Sequence, residues 1–355
     1  MKHRDLKAND LEDLQQSLLK WFKEHQRKLP WRENYEPYQV WISEIMLQQT
    51  RVNTVIPYFE RFTRRFPDVR ELSNASIDEV LHYWTGLGYY ARARNLHRTA
   101  LIVANQLGGC FPSDIDTLIT LPGIGRSTAG AIRSIAFKKP GAILDGNVKR
   151  VLSRFAAIEG WPGHTRPLKN LWSISEELTP LRNTDSFSQA MMDLGATVCI
   201  SQPKCHICPI TSGCKAYLSG TQQKYPGKKP KISLPVKKTH LLMIYNRKLG
   251  YLLRKNKSHG IWGGLWAFPQ ISKIQELDLV LRELGLKSIE SRTLATSRHT
   301  FSHYHLDYVP VLIHARELKG QTTRKTCGER WYNPKMPVLL GMPAPVVSLL
   351  EQLNN

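Results

Sequence analysis

The chain has 355 residues, and its 50 lysine and arginine residues outnumber 29 acidic ones to give a formal net charge of +21. This excess predicts a polyanionic partner, with nucleic acid as the first candidate. The first ten residues are polar, and no run of roughly 18 apolar residues occurs, which argues against a secretory signal and a membrane span. We therefore expect a cytoplasmic monomer without membrane association, built from two domains.

The first 220 residues show helical periodicity and almost no strand signal. Residues 11–24 predict one helix, and Pro37 fits the first turn of another that runs to residue 49. Glu44 lies at the edge of the apolar stripe of this second helix. An apolar wall raises a carboxyl pKa, as a general acid requires. Most helical glutamates lie on surfaces, so spacing alone leaves both interpretations open.

Residues 86–95, GLGYYARARN, place two tyrosines after a glycine turn and before a basic helix. An exposed tyrosine here would wedge between bases while the arginines contact phosphates. Tyrosines of an ordinary core satisfy the same pattern, since buried tyrosine is common in folded proteins.

Residues 121–125, LPGIG, join one helical pattern that ends near residue 120 to a second over residues 126–137. Two helices joined by this turn predict a helix–hairpin–helix. The glycines permit positive φ and a close approach to a ligand. The N-terminus of the second helix would offer N–H groups to a phosphate. A simple corner between two helices would share the pattern.

Asp145 precedes another helical start, GNVKRVL, and is placed to cap it. Backbone hydrogen bonds and the helix dipole would favour its ionised form. A purely structural cap is the alternative. Two carboxyl groups held in opposite protonation states are suited to cleaving a glycosidic bond.

Four cysteines, Cys199, Cys205, Cys208 and Cys214, lie within sixteen residues with the spacing C-x5-C-x2-C-x5-C. In a large chain without export signals this favours metal ligation over disulfides. Their spacing suits either zinc or an iron–sulfur cluster. Phe187, Met191, Leu194 and Val198 predict one face of the helix that delivers the first ligand.

The second half of the chain changes character after residue 220. Residues 221–238 are rich in proline, glycine and lysine and predict a basic linker. Strand patterns follow at 240–245, 250–254, 261–269, 305–315 and 329–332, and helical patterns at 274–284 and 346–353. These predict an α+β domain over residues 239–355.

Together these segments resemble the endonuclease III superfamily of base-excision DNA glycosylases, and within it the adenine glycosylases of the MutY type. The resemblance rests on residues 29–31, 41–50, 84–92, 121–125, 143–150, 199–214 and 300–303. It implies a multidomain α plus α+β protein with a bilobal all-α helix–hairpin–helix core over residues 1–220. A six-helix barrel would span about 30–135, with the hairpin at 114–137. A cluster lobe would combine 1–29 with 136–220, and a Nudix-like domain would follow.

The resemblance also implies a reaction, namely hydrolysis of the N-glycosidic bond of adenine paired with 8-oxoguanine or guanine in double-stranded DNA. Glu44 would be the general acid, Asp145 would stabilise an oxocarbenium-like sugar, and Asn147 would hold the site. The four cysteines would bind a 4Fe–4S cluster, which decides against zinc. Contacts to DNA and lesion are implied for Gln48, Gln49, Thr50, Tyr89, Leu121, Gly123, Gly125, Ser127, Phe301, Ser302 and His303.

Two departures from related patterns shape these expectations. Bifunctional relatives carry a lysine after the hairpin where this chain has Ser127, and serine cannot form a Schiff base, so we predict a monofunctional enzyme. The family pattern has six residues between the first two cluster cysteines, and this chain has five. Competing interpretations are a glycosylase/lyase on oxidised pyrimidines, an inactive mismatch binder, and a Nudix hydrolase, although residues 274–286 lack tandem glutamates.

Overall fold

A computed structural model describes residues 8–230, 233–260, 262–318 and 328–354. Within residues 8–230 all regular structure is helical, which confirms the predicted all-α region. The α-helices of this part are α1 Ala8–His25, α2 Pro37–Leu47, α3 Val52–Arg65, α4 Val69–Asn74, α5 Ile77–Trp84, α6 Ala91–Gln106, α7 Ile115–Thr120, α8 Arg126–Ala131, α9 Gly146–Phe155, α10 Thr165–Leu178, α11 Thr184–Thr197 and α12 Lys215–Leu218. No helix among the described residues is both long enough and apolar enough to cross a bilayer.

Helix α2 begins at Pro37, whose fixed φ suits the first helical position. Trp41 and Ile45 are buried on its inner face. The helix stops at Leu47 because Gln48 turns to an extended ψ of 114° and Gln49 adopts a left-handed φ of 57°. The predicted extension to residue 49 was therefore wrong by two residues. Glu44 consequently lies in the last turn of the helix.

The helix–hairpin–helix is formed by α7 and α8, as predicted. Gly123 has a φ of +81°, which only glycine adopts readily. Gly125 has a φ of −90°, so the expectation of positive φ was wrong there. Gly125 instead occupies the N-cap of α8 and supplies no side-chain cap. Helix α8 continues into a π-helical turn over Ile132–Ala136.

Helices α9 and α11 approach each other closely at Gly195. A Cβ atom on Gly195 would lie 2.7 Å from Cβ of Asn147, so only glycine permits this approach. The predicted inner face of α11 is confirmed, since Phe187, Met191 and Leu194 are all buried. The backbone that precedes Cys199 is thereby fixed against the first turn of α9.

Much of the predicted linker lies on the helical part. Arg154 Nε donates hydrogen bonds to the carbonyls of Gln222, at 3.1 Å, and Tyr225, at 3.0 Å. Lys229 Nζ lies 5.6 Å from the centre of the Trp161 ring. This stretch of the predicted linker is therefore held on the helical part, because the buried Arg154 guanidinium binds two of its carbonyl groups.

The described residues divide into two compact units. Residues up to 74 and 95–230 form the first, and residues 75–94 with the chain beyond 230 form the second. The sequence prediction placed residues 75–94 in the helical domain. Within the second unit, Asp78 accepts a hydrogen bond from Trp266 Nε1 at 3.2 Å and pairs with Lys255 at 2.8 Å. Tyr90 Oη donates to the carbonyl of Met342 at 3.1 Å.

The second unit contains a mixed sheet of eight strands, in the order β3-β2-β1-β7-β5, with β4 on β1, β6 on β7 and β8 on β2. Strands β1 and β7 are parallel. The strands are β1 Val236–Asn246, β2 Gly250–Lys255, β3 Trp266–Ala267, β4 Gln270–Ile271, β5 Leu286–Thr293, β6 Ser297–Thr300, β7 His305–Glu317 and β8 Glu329–Tyr332. Helices α13 Leu277–Glu283 and α14 Ala344–Asn354 complete it.

The sequence predicted both helices and four of these strands. The predicted strand over residues 261–269 is reduced to β3, because Trp262 at φ 53° and Gly264 at φ 75° turn the chain before it. Strands β5 and β6 were missed because their side chains are mostly exposed and show no alternation. The core is built from Leu242, Ile244, Leu252, Ile271, Leu281, Leu284, Leu286, Val311, Ile313 and Ala315.

Candidate active site

A pocket opens beside the last turns of α2. Its walls are mostly apolar, and its polar groups converge from separate elements. Apolar side chains come from Leu29, Trp31, Val40, Leu47, Val52 and Ile135, and polar ones from Arg27, Arg32, Glu44 and Gln189. A concave apolar site with a few convergent polar groups is the usual form of a small-molecule or base pocket.

Glu44 projects into this pocket from α2. Burial, which is the largest cause, and the negative charge of Asp145 together raise its pKa to about 8, against the opposing effect of Arg32. Glu44 is therefore protonated at neutral pH and can donate a proton to a bound base. The sequence prediction of a raised pKa is confirmed, with burial as the main cause.

Asp145 caps α9, as predicted. Its carboxylate accepts hydrogen bonds from the backbone N–H groups of Val148, at 2.9 Å, and Asn147, at 3.2 Å. The Asn147 amide oxygen is held in turn by Arg150 Nη2 at 2.8 Å, and the same nitrogen donates to the Gly195 carbonyl at 2.6 Å. The site therefore combines the protonated carboxyl group of Glu44 with the capped carboxylate of Asp145. The negative charge of Asp145 contributes to the raised pKa of Glu44.

Sequence reasoning missed Arg27, Arg32 and Asp193. The Asp193 side chain is fully buried and forms ion pairs with Arg27 at 2.6 Å and with Arg32 at 2.8 Å. The two arginines hold the pKa of Asp193 below its usual range, although burial alone would raise it. One signal was present: an aspartate stands inside the apolar run AMMDLGA, and a buried charge requires a partner.

The four loop cysteines line one cavity. Arg154 Nη1 lies 3.3 Å from Cys199 Sγ and donates toward it. Among the described residues, no group of three or more His, Cys, Asp or Glu side chains is arranged to hold a metal ion.

The residues that follow α2 form a turn, whereas Glu44 faces the pocket. Gln48 Nε2 donates to Thr128 Oγ1 at 3.4 Å, and the Thr50 hydroxyl donates to the Gln48 carbonyl at 3.3 Å. Gln49 is exposed with left-handed backbone. These contacts make Gln48 and Thr50 the base of a turn from which the Gln49 side chain projects.

The hairpin residues divide between core and surface. Leu121 is only 4% exposed, so its side chain belongs to the core. Gly123 and Gly125 are exposed and leave their backbone accessible. Ser127 Oγ accepts a hydrogen bond from the Leu144 N–H at 2.9 Å, which ties α8 to the strand-like segment before Asp145.

In the second unit, two exposed features correspond to the predicted lesion contacts. Tyr89 has a left-handed φ of 49°, is 46% exposed, and lies 5.5 Å from the Arg92 guanidinium. Phe301 stacks on Tyr304 at 4.7 Å between ring centres, while Ser302 and His303 form an exposed tip. His299 lies in β6 opposite Leu306, and His305 lies in β7 opposite Thr300.

Comparisons with known proteins agree with this geometry. Residues 42–177 match the model of the HhH-GPD superfamily base excision DNA repair proteins, and residues 240–352 match the NUDIX domain. The chain is 41% identical to the adenine DNA glycosylase of Buchnera aphidicola subsp. Acyrthosiphon pisum, with 96% of this chain and 97% of the relative covered. The chain belongs to the adenine DNA glycosylase family.

Other relatives of the adenine DNA glycosylase family and its wider superfamily support the same placement. The human adenine DNA glycosylase is 35% identical, with 89% of this chain and 69% of the relative covered. The structure of a thermostable thymine-DNA glycosylase superposes with a TM-score of 0.53 at 26% identity, over 61% of this chain and all of that one. These matches confirm the predicted glycosylase core followed by a Nudix-like domain.

Proposed function

We propose that this protein is a monofunctional adenine DNA glycosylase that removes adenine paired with 8-oxoguanine or guanine in duplex DNA. The observation that carries the proposal is the pairing of Glu44, protonated near neutral pH, with the capped carboxylate of Asp145. The adenine glycosylase relatives support the choice of base. The net charge of +21 supports binding to a duplex.

The geometry supports a dissociative cleavage of the glycosidic bond. A flipped adenine would enter the pocket beside α2, at an unstacking cost of a few kcal/mol. Glu44 would donate its proton to N7 and so make the base a better leaving group. Asp145 would stabilise the positive charge that develops on the sugar, until a water molecule adds to the sugar carbon and releases a proton. Asn147, held by Arg150, would keep the capping turn in place.

The test of this function is single-turnover cleavage of a labelled duplex that contains one adenine opposite 8-oxoguanine, with and without hot alkali before electrophoresis. Strand breaks only after alkali are expected, because Ser127 cannot form the Schiff base required for strand cleavage. Breaks without alkali would indicate a glycosylase/lyase, and tight binding without adenine release would leave only a mismatch binder.

The rate should depend on pH through Glu44. Because the protonated carboxyl is the active form and its pKa is about 8, the single-turnover rate should fall as pH rises through about 8. The rate measured from pH 6 to pH 9.5 would show this alkaline limb. A rate that rises steadily across the same interval would contradict the assignment of Glu44 as the acid.

We also propose that Cys199, Cys205, Cys208 and Cys214 hold a 4Fe–4S cluster. The convergence of all four cysteines on one cavity supports this assignment, and the five-residue gap between the first two cysteines does not prevent it. When bound, such a cluster supplies a structural brace and electron-transfer chemistry. The hydrolysis steps proposed above are assigned to Glu44, Asp145 and Asn147.

Purified protein is expected to absorb near ~400 nm and to contain about four irons per chain. The Cys208→Ser variant should lose most of this absorbance and iron, since it removes one of four ligands. Cys110→Ser is the matched control, because Cys110 is exposed and lies outside the loop. One zinc per chain without visible absorbance would overturn the cluster assignment.

Lesion recognition is proposed for two exposed groups. Gln49 and Tyr89 would insert at the base opposite the adenine, because both project from tight left-handed turns. The tip formed by Phe301, Ser302 and His303 would read 8-oxoguanine. Stacking of Phe301 on Tyr304 supports a preformed platform for this contact.

A further inference from the structure

Asp193 forms a buried ionic cluster with Arg27 and Arg32. The reaction proposed above gives this cluster no role. Arg32 binds both carboxylate oxygens, with Nη1 2.8 Å from Oδ2 and Nη2 2.9 Å from Oδ1. Arg27 Nε lies 2.7 Å from Oδ1, and the Arg27 backbone N–H donates to Oδ2 at 3.1 Å. Arg32 Nη1 also donates to the Arg27 carbonyl at 3.0 Å. The bidentate pairing fixes the Arg32 guanidinium, and Arg27 is held by contacts of its side chain and its backbone with the same carboxylate.

Both arginines line the pocket that contains Glu44. A guanidinium without a partner beside a carboxyl group favours ionisation of that group. Glu44 as a general acid requires the opposite state. The buried Asp193 carboxylate provides the competing anion, and it holds the Arg32 fork in a fixed direction.

Few other charged groups bear on Glu44. Asp145 acts on it from the start of α9, and Arg32 acts from the turn before α2. Arg133, from the π turn packed against α2, donates to the carbonyls of Pro140 and Ser113. Arg51, which precedes α3, is exposed to solvent. Among these groups, Asp145 and Arg32 therefore have the main influence on whether Glu44 is ionised. The influence of Arg32 depends on how far Asp193 offsets its charge.

We propose that Asp193 is a positioning residue that holds Arg27 and Arg32 in place and offsets part of their positive charge, so that Glu44 keeps its proton until adenine is bound. This inference rests on the proposed adenine excision. Because Asp193 belongs to α11, this helix would support proton donation by Glu44 in addition to packing against α9.

The test is the pH profile of single-turnover adenine release by Asp193→Asn. Loss of the carboxylate leaves the charge of Arg32 uncompensated beside Glu44, so the alkaline limb should move down by roughly one pH unit or more. The rate at pH 8.5 should then fall about sevenfold or more beyond the fall at pH 6. Asp185→Asn, in the first turn of the same helix, should leave the limb where it is in wild type.

A second variant covers the case in which Asp193→Asn does not fold, as judged by circular dichroism. Arg27→Gln leaves Asp193 paired with Arg32 alone, which removes one positive charge from the pocket wall. Its alkaline limb should move to higher pH, opposite to that of Asp193→Asn. A folded Asp193→Asn with a uniform rate loss and an unmoved limb, or an unmoved limb in Arg27→Gln, would overturn the inference. Failure of wild type to release adenine at any pH would instead overturn the proposed function.

Discussion

Replacing Glu44 with glutamine should reduce the single-turnover rate of adenine release by about 10²–10⁴-fold or more, because the amide keeps the size of the side chain and removes its transferable proton. Duplex binding should persist, since the substitution removes no positive charge. Glu60→Gln, on the exposed surface of α3, is the matched control and should cleave at the wild-type rate. A Glu44→Gln variant with near wild-type activity would exclude Glu44 as the acid.

The same variant should be more stable than wild type at neutral pH. The pKa of Glu44 is about 8 in the folded protein and near 4.5 in a solvated chain, so the folded state holds a proton that the unfolded chain releases. Wild type therefore loses stability as pH rises from about 4.5 to 8, whereas glutamine carries no such penalty. We expect a gain of about 1–3 kcal/mol at pH 8 and almost none at pH 4.5. Denaturant unfolding of both proteins at the two pH values measures this difference.

Replacing Asp145 with asparagine should reduce adenine release by about 10²–10³-fold or more, because the variant lacks the negative charge that faces the developing cation. Asparagine caps helices nearly as well as aspartate, so the free energy of unfolding should change by less than about 1 kcal/mol. Duplex affinity should be unchanged or higher, since one negative charge near the DNA is removed. Rate, unfolding and binding measurements on one preparation separate these effects.

Asp68→Asn provides the matched control for this substitution. Asp68 accepts hydrogen bonds from the N–H groups of Arg70, at 2.8 Å, and Glu71, at 2.9 Å, and so caps a helix in the same manner far from the chemistry assigned here. It should show the same small change in stability and no change in rate. Equal rate losses in both variants would reduce Asp145 to a structural cap.

The parts of the site that sequence predicted depend on short stretches of chain. The Asp145 cap, the glycine hairpin and the position of Glu44 each involve residues within one or two turns of each other, so local spacing was sufficient. The Arg32–Asp193 pair joins residues 161 positions apart, and no local pattern indicates which arginine reaches the buried aspartate. Likewise, the grouping of residues 75–94 with the second unit depends on contacts such as Asp78 with Lys255, which span 177 positions. Long-range pairing of this kind requires the structure.

The left-handed backbone at Gln49 and Tyr89 has a consequence for redesign. A residue with a side chain at positive φ is strained by about 1 kcal/mol relative to glycine, which adopts that conformation freely. A selection of substitutions for thermal stability alone would therefore favour glycine at both positions. The resulting protein would keep its fold and its two carboxyl groups and lose the side chains proposed to enter the duplex. Engineering of this family for thermal stability should therefore leave Gln49 and Tyr89 unchanged.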